Sequence, residues 1–272
     1  MKRASVWSWV WLAGGAIYFL LPLYGTLEFS LRMQRGVLSF LAYEKIFDDP
    51  QFLRTFLFSN QMALLTIVVT LLLVVPTAYW VHLRLPRLRP VVEFITLMPF
   101  VIPAIVLVFG LIKIFSKPLE IGSFTLLRPL TNSILGTNAL LVAGYVVLSL
   151  PYMYRAVDTG LRAMDVRTLT EAAQILGAGW PKILTSVIFP NLRSALLSGA
   201  LLTFAIVVGE LTLANFLDRP AFGPYLWLLG QHRAYEPSAL AIISFALTWA
   251  ALGIIQLLTR GRPGQGQIAG GR

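Results

Sequence analysis

Six stretches of this 272-residue chain run for about twenty residues or more with little or no charge, and that recurrence limits the fold more than any other feature. They are residues 4–27, 55–81, 94–112, 129–154, 194–217 and 237–259, and the fifth is interrupted only by Glu210. A helix needs about 20 apolar residues to cross the hydrocarbon core of a bilayer. Only 12% of the chain is charged, about half the share usual in a soluble domain, so few polar surfaces remain for water. The runs predict an all-α, polytopic membrane protein with six transmembrane helices.

The first run follows Lys2 and Arg3 but is too long for the apolar part of a signal peptide, and no small-x-small cleavage site follows it. It is expected to be a retained anchor. With the N-terminus inside, the inner segments carry 13 Lys and Arg against 4 acids and the outer ones 9 against 7. This positive-inside bias predicts both termini in the cytoplasm and explains the net charge of +10 without nucleic acid. No cysteine is present, which removes disulfide and thiolate chemistry. The two histidines, His82 and His232, fall in loops on opposite sides of the membrane, too far apart for a shared metal.

Prolines 22, 76, 99, 103 and 151 lie within the runs, where membrane helices tolerate bends. Ala195, Gly199 and Thr203 recur every four residues, a spacing that lets another helix approach closely. Residues 28–54 mix apolar and charged positions and predict a short amphipathic helix at the interface. The polar, Gly-rich segment 260–272 is expected to be disordered, beyond a single permease domain with its core at about 52–258.

One inner loop, residues 155–193, is long and half polar. Thr168 followed by Glu171 has the form of a capping box, which predicts a helix through Leu169–Leu176. Gly177 suits a left-handed cap, Pro181 begins a second short helix, and Pro190 is expected to stop it. Both helices are expected to lie on the membrane surface. On residues alone, Glu171 is either a cap or part of a small exposed face, with Ala172 and Ala173, that fits a partner's groove.

The stretch Glu171–Pro190, "EAAQILGAGWPKILTSVIFP", resembles the EAA motif of ABC importer permeases. Glu171, Ala172, Ala173, Gly177 and Pro190 fall on its register, and Val187 and Phe189 replace its usual Ile and Leu. The resemblance covers about Phe40 to Leu258 and is closest to the spermidine/putrescine branch, through "LGA" at 176–178 and the stretches on either side of the motif. It implies the type I ABC importer permease fold and an inner-membrane location. It also implies that Glu171, Ala172, Ala173, Leu176, Gly177 and Pro190 belong to a coupling helix that docks on an ABC ATPase dimer. The implied partners are that ATPase, a second, unlike permease subunit and an extracytoplasmic solute-binding protein. ATP and Mg belong to the ATPase, since "LGAGWPK" lacks the Gly-Lys-Ser/Thr ending of a phosphate loop, and this chain is expected to bind no cofactor and to be no enzyme.

A carboxylate in a span is costly unless paired or wet, which singles out Glu210. In polyamine permeases an acidic pair stands there; Gly209 replaces one member. Glu210 either lines the pathway or pairs with a basic group of the partner permease. Asn60, Gln61, Tyr145, Ser149 and Thr203 are further pathway candidates. The expected solute is a polyamine, with aminoalkylphosphonate, thiamine, ferric ion or an oxyanion as alternatives. A secondary carrier would be expected to use several intramembrane charges and inverted repeats, and a membrane enzyme would show acid or His clusters in its spans; neither pattern is present.

Overall fold

The computed structural model describes residues 6–34, 36–121 and 124–260. The terminal segment expected to be disordered lies outside them, apart from Arg260. Apolar runs become helices because a backbone in lipid must satisfy its own N–H and C=O groups. The elements are α1 (Val6–Ser30), α2 (Leu41–Phe47), α3 (Pro50–Leu83), α4 (Arg89–Leu97) and α5 (Ala104–Phe115). A short antiparallel hairpin follows, β1 (Leu119–Ile121) with β2 (Phe124–Leu127), a small departure from the all-α expectation. Then come α6 (Ile134–Arg162), α7 (Val166–Ile175), α8 (Trp180–Ile183), α9 (Phe189–Gly209), α10 (Thr212–Phe216), α11 (Phe222–His232) and α12 (Glu236–Arg260).

Four helical stretches are long and apolar enough to cross a membrane: Trp9–Ser30, Pro50–Leu83, Ile134–Arg162 and Trp180–Gly209. The third expected span is not one helix. Pro86–Phe100 and Ala104–Phe115 meet at a bend of 100°, making a broken span or a re-entrant loop. Pro103 explains the break: it has no N–H to donate and sits extended (φ −59°, ψ 140°) immediately before α5. The sixth run lies in α12, where the apolar stretch among described side chains covers Glu236–Ala250.

The chain packs as two compact units. One is drawn from Met1–Arg54 and Tyr225–Ala251. In it, the described side chains of α1 are mostly exposed, with Trp7, Trp9 and Trp11 all facing outward, as expected of a helix that faces lipid, and only Ser30 at its end is buried. The Ser30 and Tyr43 hydroxyls lie 2.7 Å apart, Phe29 stacks on Tyr235 at 4.8 Å, and Tyr225 donates to Asp49 at 3.0 Å. A short helix, α2, forms within 28–54, where one was expected.

The other unit, Thr55–Pro224 with Leu252–Arg272, is built on the pair α6 and α9. Glycine lets these helices close up. A Cβ at Gly199 would stand 2.7 Å from Met153 Sδ and 3.2 Å from Ala156 Cβ, and one at Gly160 would stand 2.7 Å from Ala195 Cβ. The small-residue face read from Ala195, Gly199 and Thr203 is therefore turned to protein. Two apolar clusters fill the unit, one around Tyr79, Met153, Val157 and Ile188, the other around Val108, Leu141, Tyr145 and Leu213.

Pro190 does not end the helix before it. Residues 180–209 continue as one stretch, so α8 leads into the fifth span instead of lying on the surface. A π-turn over Leu184–Ile188, in which Phe189 N–H donates to Leu184 C=O, widens the helix where the proline ring would press on the preceding turn.

Candidate functional site

The loop between α6 and α9 is a capped helix and a turn. Asp165, not Thr168, is the N-cap of α7: its Oδ1 accepts the Thr168 N–H at 3.1 Å and its Oδ2 the Thr168 hydroxyl at 2.7 Å. The expected capping box does not form, and the cap lies three residues earlier, where an aspartate ahead of Thr168 supplies the stronger acceptor. The bonds from the Thr168 hydroxyl and amide, with Arg167 nearby, hold the exposed Asp165 carboxyl below the ordinary carboxylate range. Glu171 is free of capping and accepts from Arg167 Nε at 2.8 Å, a bond that raises the arginine further above its usual value.

Val166, Thr170 and Ala173 face inward on α7, whereas Glu171, Ala172, Ile175 and Leu176 face outward. Ile175 and Leu176 are 86% and 87% exposed, more than any other large apolar side chain among the described residues. Gly177 closes the helix with φ +77°, in the expected left-handed cap. Its N–H donates to Gln174 C=O at 2.9 Å, and Ala178 N–H donates to Ala173 C=O at 3.0 Å, a complete Schellman turn. Pro181 sits in the first turn of α8, as expected, and Pro190 in that of α9.

Four charges join α4 to α6 near this loop. Arg89 Nη2 reaches both Asp158 oxygens and its Nε reaches Glu93 at 3.1 Å. Arg162 Nη2 reaches Glu93 at 3.1 Å and Asp158 at 2.7 Å. Sequence reasoning missed the network, although its i,i+4 pairs 89/93 and 158/162 are visible in the chain.

Glu210 marks the end of α9, where the backbone turns extended. Both of its oxygens accept the Leu213 N–H at 2.9 Å, and Oε2 also takes the Ala214 N–H at 3.3 Å. The carboxylate therefore caps the short α10 that breaks the fifth expected span. Tyr145, 1% exposed, places its hydroxyl within reach of that charge but outside hydrogen-bond geometry. Ser149 and Thr70 hydroxyls lie 3.2 Å apart inside the bundle, and Thr203 donates to Gly199 C=O. Asn60 donates to Phe56 C=O, and Gln61 is exposed on α3.

The open space lies elsewhere. A cleft of about 980 Å³ between α6, α9 and the bend of the third span is lined by Phe100, Tyr152, Arg155, Asn191, Ser194 and Ser198, among others. None of the expected pathway residues lines it. Phe100 meets Tyr152 edge-on at 5.3 Å. Arg155 is the one charged side chain in the lining and makes no ion pair or hydrogen bond among the described residues. These residues come together only through helix packing, and no local pattern in the sequence announces them.

Long apolar helices around a tight α6–α9 pair, with an exposed capped helix between them, are the features of a multi-pass membrane protein. The match to the family of binding-protein-dependent transport system inner membrane components covers residues 74–261, and the chain belongs to that family, whose members are permease subunits and not enzymes. It is 30% identical over 150 residues to the molybdenum transport system permease protein ModB of Azotobacter vinelandii, covering 55% of this chain and 66% of that one. It is 27% identical over 165 residues to the spermidine/putrescine transport system permease protein PotB of Escherichia coli, covering 59% of each. A probable transport system permease protein, NifC of Clostridium pasteurianum, is 23% identical over 92% of this chain and 87% of its own. Among solved structures, a bacterial ABC transporter involved in the import of the acidic polysaccharide alginate matches with a TM-score of 0.66 at 17% identity, over 93% of this chain and 94% of that one. The same transporter type in complex with an alginate pentasaccharide-bound periplasmic protein matches with a TM-score of 0.68 at 15% identity, over 93% of each chain. These two likenesses establish the type I importer fold.

Proposed function

We propose that the chain is the membrane-spanning subunit of an ATP-driven importer that passes a small solute from an extracytoplasmic binding protein across the inner membrane by alternating access. The observation that carries this reading is α7, a capped helix whose exposed face pairs Glu171 with the bare side chains of Ile175 and Leu176. Exposed apolar tips of this kind are matched by a partner's cleft, and an ABC ATPase dimer that uses ATP and Mg supplies one. Both termini lie in the cytoplasm in this reading, by the distribution of basic residues. A second, unlike permease subunit completes the channel. Coupling requires the ATPase to bind two permease states with different affinity.

The test is to purify the chain from its native membrane in mild detergent and identify stoichiometric companions by mass spectrometry. An ATPase, a second permease and a binding protein are expected. A chain that emerges alone, under conditions that preserve other complexes, ends the reading.

For the solute, likeness to PotB supports a polyamine and likeness to ModB supports an oxyanion. The side chains favour the second. Glu210, the carboxylate that would draw a polycation, spends both oxygens on backbone N–H groups, while the open cleft presents Arg155 and no acid. A small oxyanion is therefore the solute class we infer. Calorimetry of the recovered binding protein with molybdate and with spermidine decides between them: tight binding of spermidine alone would reverse the assignment.

A further inference from the structure

We propose that the end of α3 nearest α7 grips the coupling turn on both of its limbs and carries the motion of α7 into the second span. The proposal rests on the docking role given to α7 above. Two adjacent residues make the grip. Tyr79, 1% exposed, reaches the limb before Gly177, with its hydroxyl 3.1 Å from Thr170 Oγ1, itself on a 2% exposed residue. The Thr170 proton goes to Val166 C=O at 2.7 Å, so Tyr79 is the donor to Thr170. Trp80 reaches the limb after Gly177, stacking on Trp180 at the start of α8 with ring centroids 5.9 Å apart and planes 26° from parallel. Arg84, in the turn immediately after α3, places its guanidinium 5.8 Å from the Trp80 ring centroid. Successive residues on a helix point about 100° apart, which lets neighbours on α3 reach opposite sides of one turn.

The attachment matters because of how the chain is connected. α6 runs directly into α7, and α8 runs into α9, so those spans follow the loop through their backbone. α3 has no such link: Tyr79 lies 91 residues from Thr170. Among the described residues, the Tyr79–Thr170 bond is the one hydrogen bond or ion pair that ties α7 to a spanning helix. A buried hydroxyl pair makes a stiff tie, because opening it leaves polar groups unsatisfied in apolar surroundings. Val74, Val75 and Ala78 of α3 share one buried cluster with Val166 and Ala173 of α7, which keeps water from relieving that penalty. Pro76, three residues before Tyr79, leaves the Leu72 carbonyl without its helical donor, so the gripped end joins the rest of α3 through a weakened turn. Tyr79 and Thr170 are positioning residues in this scheme, since they act through α3 and touch no solute.

The complex recovered with its ATPase is reconstituted in lipid nanodiscs. Because the chain lacks cysteine, a single Leu72→Cys on α3 or Ala205→Cys on α9, both at exposed positions, carries a spin label whose spectrum is read before and after MgATP with vanadate. Tyr79→Phe and Thr170→Val are each expected to lower the Leu72-site response on the order of fivefold, the factor that one net hydrogen bond carries. They leave the Ala205-site response unchanged, and Thr170→Ser restores the first. An unaltered Leu72-site response in both variants overturns the proposal. An equal fall at both sites, or loss of the ATPase from the variants, also overturns it, by making the bond a mere folding contact. A native complex that binds no ATPase fails earlier, and that failure removes the docking role itself.

Discussion

Arg89 lays its guanidinium across the carboxylate of Asp158, 69 residues further along the chain, with Nη2 3.0 and 3.1 Å from the two oxygens. With Glu93 and Arg162 this ties the first half of the broken third span to α6, immediately ahead of α7. The Asp158 side chain is 13% exposed, so removing its charge leaves the partly buried Arg89 without its bidentate partner, while Arg162 keeps access to water. Asp158→Asn is expected to destabilise the purified complex by roughly 2 kcal/mol, between the values for exposed and buried pairs. Arg162→Ala, at the more exposed edge, is expected to cost less than half of that. Thermal unfolding in detergent checks both, and the swap of Arg89→Asp with Asp158→Arg should recover part of the loss.

At Gly160 the neighbours are Ala195 Cβ and Leu192 Cδ2, each 2.7 Å from where a Cβ would stand. Ala195 has no rotamer with which to yield. Gly160→Ala is therefore expected to push α6 from α9 and to cost about 1–3 kcal/mol as an overpacked site. Gly230→Ala, on α11 with nothing within 4 Å, is the matched control and is expected to be neutral or stabilising. Equal melting temperatures for the two variants would contradict the close approach.

Gly177 poses a different problem, since nothing lies within 4 Å of it and only its φ of +77° resists a side chain. Gly177→Ala is expected to cost about 1–2 kcal/mol through the backbone alone, and Gly177→Asn less. Gly177→Asp and Glu171→Lys are expected to uncouple uptake from ATP hydrolysis while membrane insertion stays intact. Normal ATP-driven uptake by both would remove the docking assignment.

The Asp165 cap has a pH signature. Its carboxyl is held lower in the folded chain than in the unfolded one, so its contribution is complete above the ordinary carboxylate pKa, about 3.9. The contribution is lost as pH falls from there through the lower folded value. Amide exchange at Thr168, followed downward from pH 5 after correction for intrinsic rates, should show protection falling in that window. Asp165→Asn keeps an acceptor without the titration, and its profile should be flat.

Much of this was readable from the chain itself. Charge-free runs located four long spanning helices because lipid tolerates little else, though the third run is broken and the sixth gives a shorter apolar stretch, and Gly177 and Pro181 marked a turn and a helix start through constraints that act within a few residues. The misreadings arose where two local solutions competed. Asp165 and Thr168 both suit an N-cap, and only the geometry selects the aspartate. Pro190 reads as a stop unless the preceding turn widens, and Pro103 reads as a kink unless the chain turns fully away. The grouping of Arg155, Tyr152 and Ser198 was not readable at all, because it depends on how α6 and α9 are rotated against each other.

That rotation gives the π-turn at Leu184–Ile188 a meaning beyond sparing Pro190. A single widened turn inserts one residue without adding a full step of helix, so everything after it is rephased by about 100° relative to everything before. Trp180, turned toward Trp80, and Ser194, turned toward the cleft, lie on opposite sides of that phase shift. The turn works as a vernier between coupling loop and transport cleft. Forcing the same residues into a regular α-helix, without the widened turn, would rotate one surface against the other and misalign what they serve.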